Sequence, residues 1–427
     1  MPMIRTLSAL EILDSRGRPT IAVQCALSDG TAASASVPSG ASTGAAEALE
    51  LRDGDPSRYQ GLGCRKAVDH VNRALNDALA RREFAQQADL DRAMIELDGT
   101  PNKSRLGANA ILGVSIAFAR SSAASIGVPL YRHFASILGT SPRLPTLTVN
   151  LFSGGKHAGE QVPIQDILLV PVSAESVDHS LSMVYAVYQS AAALAKTKYD
   201  SRPLVADEGG LSPPFPDVDS ALQDAVDSIG AAGFEPGRDV ALAIDIAATH
   251  FHRDGKYDLD GRPLSSRKMV EQIASWVSTF PIVSVEDGLA EDDWQNWPAL
   301  RSALNGKALV MGDDLLCTNP PRIRRAVEAR AANALLLKVN QIGTLTETAE
   351  AYQLARNANW SVTISARSGE TEDNWLADLA VGWAGDYIKI GSITRSERLA
   401  KYNRLLAIEA ELATKGAKGR RDKGTKR

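Results

Sequence analysis

Six apolar runs in this chain each stop on a charged residue, roughly one β/α unit apart. ValAlaLeuAlaIle ends on Asp245, ProIleValSerVal on Glu286, AlaLeuValMetGly on Asp313, AlaLeuLeuLeu on Lys338, ThrIleSerAla on Arg367 and AspTyrIle on Lys389. A parallel β/α barrel delivers the last side chain of every strand to one face, so charges far apart in sequence converge on one pocket. Three acids brought together repel and desolvate badly unless a cation lies between them, so Asp245, Glu286 and Asp313 imply a metal. One acid alone would as readily cap the helix after its strand; three in register, followed by two lysines, point elsewhere. With oxygen ligands only, and no Cys or His at matching spacing, the ion is hard: Mg²⁺ first, Mn²⁺ or Ca²⁺ behind it. Lys338 and Lys389 beside that ion disfavour each other's protonated form, so one is expected to be neutral enough to take a proton near pH 7. That equipment suits carbon-acid chemistry, in which a metal-bound carboxylate accepts charge as its α-carbon is deprotonated.

These residues need a scaffold, and the rest of the chain supplies one. At 427 residues there is room for a barrel of about 250 residues and a smaller domain. Hydrophobic content of 44% and charged content of 23% fit a globular protein, and a net charge of −4 gives no electrostatic case for nucleic acid. Cys25, Cys64 and Cys317 lack metal-ligand spacing and read as reduced thiols of a cytoplasmic protein. Charges at Arg5, Glu11, Asp14 and Arg16 interrupt any secretory signal, and the apolar stretch 108–119 is too short to span a membrane. Alternating runs from Ile4 to Ser36 predict antiparallel hairpins, and the spacing over 64–82, 88–97 and 108–127 predicts helices, the last buried on most sides. The expected organisation is α/β: an α+β capping domain over 1–138, a β/α barrel over 139–412, and a disordered basic tail over 413–427.

Many segments in order resemble the enolase (phosphopyruvate hydratase) family. They include AspSerArgGly at 14–17, ProSerGlyAlaSerThrGly at 38–44, GluAlaLeuGluLeuArgAspGlyAsp at 47–55, GlyAlaAsnAlaIleLeuGly at 107–113, GlyGlyLysHisAlaGly at 154–159 and AspGluGlyGly at 207–210. SerValGluAspGlyLeu at 284–289, GlyAspAsp at 312–314, LysValAsnGlnIleGlyThrLeuThrGluThr at 338–348, ArgSerGlyGluThrGluAsp at 367–373 and ArgSerGluArgLeuAlaLysTyrAsn at 395–403 complete the series. The resemblance implies an enolase-type barrel and dehydration of 2-phosphoglycerate, a small phosphorylated hydroxy acid, to phosphoenolpyruvate. It implies Asp245, Glu286 and Asp313 as ligands of a high-affinity Mg²⁺, with Ser42 helping to hold a second, substrate-assisted Mg²⁺. Lys338 matches the base and Glu208 the acid, assisted by Asp166. Arg367 and Ser368 match phosphate contacts, Lys389 the carboxylate contact, and Gln165 and His157 pocket positions. A Lys base with one or two Mg²⁺ is the known pattern of this superfamily and comes here with the resemblance.

Two positions depart from the family pattern. Ala366 stands where the family has histidine, and Asp166 where it has glutamate. The first removes a hydrogen-bond donor and opens space; the second draws a carboxylate back from Glu208. Three readings follow: an enolase with retuned activity on 2-phosphoglycerate, a dehydratase resembling carboxyphosphonoenolpyruvate synthase that takes a bulkier phosphorus group in phosphonate biosynthesis, or a binding protein without catalysis. The family also implies a homodimer with ion pairs across its interface. Ala22 and Ala407 replace one such pair together, so the interface is expected to be remade without a buried unpaired charge.

Overall fold

The computed structural model describes residues 2–40, 44–159, 162–200, 202 and 204–424. The first three strands form an antiparallel sheet: β1 (Ile4–Leu13), β2 (Pro19–Leu27) and β3 (Ala32–Ser36), in that order. Asp14 closes the first turn, its Oδ1 accepting from the backbone N–H groups of Arg16 (2.8 Å) and Arg18 (2.9 Å). In β2, Ile21, Val23, Cys25 and Leu27 alternate onto the buried face. The helix Ala108–Ser125 covers that face and is itself mostly buried, as its predominantly small and aliphatic residues require. Gly113 sets the approach: a Cβ there would lie 2.4 Å from Val23 Cγ2. Among the described residues no single helix is long and apolar enough to cross a membrane.

The second part is a closed eight-stranded barrel. Its strands are β4 (Thr146–Ser153), β5 (Asp166–Val170), β6 (Ala241–Asp245), β10 (Ile282–Glu286), β11 (Leu309–Gly312), β12 (Ala334–Leu337), β13 (Ser361–Ser365) and β14 (Tyr387–Gly391). A small sheet of β7 (His252–Arg253), β8 (Lys256–Leu259) and β9 (Arg262–Leu264) is inserted after β6. Strands such as β12, AlaLeuLeuLeu, are buried along their whole length because both faces are covered. Helices such as Leu345–Asn357 surround the barrel.

The barrel is not wholly parallel. β5 runs antiparallel to both β4 and β6, while the remaining neighbours are parallel. The described residues of 154–165 hold a short turn, Gly155–His157, and the segment is too short for the crossover helix that a parallel return demands. β5 therefore presents its first residue, not its last, to the face where the other strands end. Asp166 pairs in register with Asp245 on one side and Ser153 on the other.

The final helix runs from Ser396 to Gly424. Alanine, lysine and arginine extend an existing helix without a new nucleation cost, so a charged composition alone does not end it. The N-terminal part lies across the barrel's rim. Ser39 and Gly369 exchange backbone bonds of 2.8 and 2.9 Å, Ser15 N–H donates to Glu370 O (2.7 Å), and Ala48 N–H to Gln341 O (2.8 Å).

Candidate active site

The six charges do gather at one end of the barrel, though from different depths. Asp245 and Glu286 end β6 and β10, Asp313 and Lys338 follow β11 and β12 directly, Arg367 lies two residues beyond β13, and Lys389 sits within β14. From there the Lys389 amine donates to Asp245 Oδ2 at 2.8 Å and Glu286 Oε2 at 2.7 Å. Gln165 Nε2 donates to the same Asp245 oxygen at 2.9 Å. Burial disfavours the ammonium of Lys389, but Asp245 and Glu286 outweigh it and hold the pKa well above lysine's ordinary value. Burial first, then Asp245, pushes the Glu286 carboxyl well above the carboxylate range, with Lys389 pulling the other way.

Lys338 forms a second pair, with Asp313 Oδ2. Burial opposes its charge and Asp313 overrides burial, so its pKa is also raised. This corrects the expectation of a neutral lysine: Lys389 does pull the pKa of Lys338 down, as neighbouring amines should, but Asp313 and then Glu286 pull it up and prevail. Asp313 Oδ1 accepts from Gln341 Nε2 at 2.8 Å, and Thr318 Oγ1 connects the Lys338 backbone N–H (2.9 Å) to Gln341 Oε1 (2.7 Å). Asp287 and Asp314 are acids to which the sequence pattern gave no role. Asp287 accepts the backbone N–H groups of Asp313 (3.0 Å) and Asp314 (2.7 Å), bracing the loop after β11. Burial and then Asp313 push the Asp314 carboxyl up to about 7.

On the β5 side, Asp166 Oδ1 accepts from Asn150 Nδ2 (2.6 Å) and Ser153 Oγ (2.9 Å), both on β4. Glu208 is buried on a turn whose backbone is pinned: Ser392 N–H donates to its carbonyl (2.9 Å), and Thr394 Oγ1 (2.8 Å) and Tyr188 Oη (3.2 Å) donate to the Gly209 carbonyl. Asp166 and Glu208 both lie in the field of Lys389. Gly210 keeps the turn against β4, since a Cβ would meet Ser153 Oγ at 2.7 Å and Asn150 Oδ1 at 2.8 Å.

Arg367 is 3% exposed and pairs with Glu47 (3.0 Å) and Asn340 Oδ1 (3.0 Å). Ser368 Oγ accepts from Arg16 Nη1 at 3.0 Å. Beneath them, fully buried Arg398 donates to the carbonyls of Arg367 (2.7 Å) and Ile390 (3.0 Å). Ala366 is buried, its backbone N–H bonded to Lys389 O (2.8 Å). Glu47, Gln341 and Arg398 all lie in segments that carry the family resemblance, which was the available signal. Asn150 and Ser153 had none, because their role depends on strand register. Ser42 lies outside the described residues, as does the side chain of His157.

The donors suit a divalent cation. Glu286 Oε1 is buried without a hydrogen-bond partner among the described residues, and the carboxylates of Asp245 and Asp313 act on the same group. The tightest carboxylate trio is Asp287, Asp313 and Asp314, with ligand atoms within 4.8 Å of one another, so Asp313 alone is common to it and to the expected set. Both oxygens of Asp287 accept from backbone N–H groups, and those of Asp313 accept from Gln341 and Lys338.

A mixed barrel with buried acids, amines and a guanidinium at its mouth, capped by a smaller α+β part, carries the groups that acid–base enzymes use. Residues 141–425 match the family described as "Enolase, C-terminal TIM barrel domain", and residues 4–134 match "Enolase, N-terminal domain". A curated relative, Enolase 1 of Methylococcus capsulatus (strain ATCC 33009 / NCIMB 11132 / Bath), is 48% identical over 421 residues, covering 98% of this chain and 99% of the relative. The chain belongs to the enolase family, a family of hydro-lyase enzymes.

Proposed function

We propose that this enzyme dehydrates 2-phosphoglycerate to phosphoenolpyruvate in the cytoplasm with Mg²⁺ as cofactor. The observation that carries the reading is the pairing of Lys338 with Asp313 beside Lys389 with Asp245 and Glu286 in one buried site. Asp245, Glu286 and Asp313 would hold the high-affinity ion, and Ser42 would contribute to a second. When bound, the ion supplies positive charge that compensates the substrate carboxylate as its α-carbon loses a proton. Lys338 removes that proton. It must be neutral to do so, and Asp313 is the group that keeps it charged, so engaging Asp313 elsewhere releases the base. Lys389 binds the carboxylate, Arg367 and Ser368 bind the phosphate, and Gln165 and His157 line the pocket. Glu208, with Asp166 held beside the same lysine, protonates the departing β-hydroxyl.

The test is α-proton exchange and turnover of 2-phosphoglycerate with Mg²⁺. Lys338→Ala is expected to lower both by about 10²–10⁴-fold, the range of a general base; a variant that still exchanges the proton sinks the assignment. Ala366, buried next to Arg367, favours a second reading, a glycerate with a bulkier phosphorus group in phosphonate biosynthesis. Ala366→His tests whether 2-phosphoglycerate is turned over at full rate. If it is, turnover rises little; a gain of about 10²-fold or more, the scale of one restored electrostatic partner, means that the native reaction is another one or is impaired.

A homodimer is part of the proposal. Leu10 and Leu13 on β1 are 59% and 52% exposed, and Leu10 pairs in register with Ala22. Ala407 is exposed on the last helix. Monomers at micromolar concentration in light scattering would overturn it.

A further inference from the structure

One carboxylate of the N-terminal part joins three pieces of the site. Glu47, its side chain 7% exposed, accepts from Arg367 Nη1 with Oε2 (3.0 Å) and from Arg367 Nη2 with Oε1 (3.3 Å). The same Oε1 accepts from the backbone N–H of Gly44 at 3.1 Å and lies 3.5 Å from Gln341 Nε2. Gln341 in turn donates to Asp313, the partner of Lys338. The guanidinium, the chain at Gly44 and the Lys338 pair are thus tied through a residue that takes no part in the proton transfers above.

A carboxylate beside an anion subsite weakens the subsite's hold on an anion, because it cancels the guanidinium's charge. It also fixes the planar fork: two of the five N–H donors are directed at Glu47, with Asn340 engaging Nη1 as well, so the remainder point in one defined direction. These two effects act oppositely on binding and on turnover. Ground-state affinity for a phosphate dianion falls, while the orientation needed in the transition state is set in advance.

We infer that Glu47 is a positioning residue for Arg367, holding its guanidinium in the productive orientation while lowering the resting affinity of the site for phosphate. This rests on the reading of Arg367 as the phosphate contact. Removing the charge of Glu47 tightens phosphate binding and slows turnover together, a pattern that loss of packing does not give.

The experiment uses the full chain with Mg²⁺. It reads kcat and KM for 2-phosphoglycerate and competitive inhibition by inorganic phosphate in wild type, Glu47→Gln, Glu47→Asp and Arg367→Ala. Glu47→Gln is expected to lower the phosphate inhibition constant about 3–10-fold and kcat about tenfold or more, as misorientation of a binding group does. Glu47→Asp keeps the charge but shortens the reach, so phosphate inhibition returns to near wild type while kcat stays low. Weaker or unchanged phosphate inhibition in Glu47→Gln overturns the inference. If Glu47→Gln does not fold, Glu47→Asp decides, and wild-type values of both kcat and phosphate inhibition overturn it. Arg367→Ala tells the two readings apart. Unchanged phosphate inhibition there removes the phosphate assignment itself, whereas weakened inhibition there with an unaffected Glu47→Gln overturns the role of Glu47 alone.

Discussion

Lys389→Met removes the charge that Asp245 and Glu286 share while keeping most of the side chain's length. The amine lies 2.8 and 2.7 Å from the two carboxylates, and all three side chains are at least nine-tenths buried. Removing one partner of a buried ion pair costs about 3–5 kcal/mol, because the other charge is stranded. Here two acids are stranded, and the loss is capped by protonation of Glu286, each pKa unit being worth about 1.4 kcal/mol. The carboxyl of Glu286 already titrates well above 4.5, from burial and then Asp245. An acid whose folded-state pKa is raised contributes stability that is present below its unfolded value and is lost as pH rises through the folded one. Without the amine the folded value moves higher still. The deficit of Lys389→Met against wild type should therefore be small near pH 5 and reach about 3–5 kcal/mol near pH 8. Urea unfolding in a chelator, repeated across that range, measures it. Added Mg²⁺ should narrow the gap at the alkaline end by supplying the missing positive charge. A deficit that does not depend on pH, or none at all, refutes the argument that this lysine neutralises the two acids.

Gly210→Ala should press on Ser153 and Asn150, which hold Asp166, and lower kcat by about ten- to a hundredfold, since an ångström of misplacement can cost that much. Steady-state assays with wild-type turnover would show that Asp166 is placed by something else. Gly113→Ala forces a Cβ to within 2.4 Å of Val23 Cγ2 and should destabilise the N-terminal part by about 1–3 kcal/mol with kcat unchanged, read by thermal unfolding beside activity. Burial pushes the thiols of Cys25 and Cys64 up to about 12, and that of Cys317 also upward. A thiol reagent near pH 8 should label none of them until the chain is unfolded; rapid labelling of the folded enzyme contradicts the burial.

The end-to-end pattern of apolar runs stopping on charges was readable because parallel strands are covered on both faces and announce themselves as continuous apolar segments. The helix Ala108–Ser125 was readable for the same reason, its composition leaving no polar face. The direction of β5 was not, because AspIleLeuLeuVal reads the same whichever way the strand runs. That direction decides which end of the strand reaches the mouth, and so why Asp166, Asn150 and Ser153 meet. Glu47 and Arg398 escaped a functional reading because their partners are distant in sequence or bonded through the backbone and their types are those of ordinary surface charges, whereas the fold buries both side chains.

The protonation of the two lysines shows what the sequence could not decide. From charge types alone, neighbouring amines should depress one another. In the folded chain Lys389 does depress Lys338, but Lys389 is paired with two acids and Lys338 with one, and Coulomb attraction in a buried site exceeds both that repulsion and the penalty of desolvation. The amines therefore occupy, electrostatically, the position that divalent ions take in the proposed reaction. A base held this way is inactive until its acid is engaged by something else. If Lys338 is the base, coupling its availability to the occupancy of Asp313 ties proton removal to the presence of the charge that stabilises its product, and Asp313→Asn, which removes the partner of Lys338 together with a proposed metal ligand, should lower the lysine's pKa while still failing to turn over substrate. Measuring that pKa by the pH dependence of lysine modification tests the coupling directly: a value unchanged from wild type would mean that Asp313 does not govern the base.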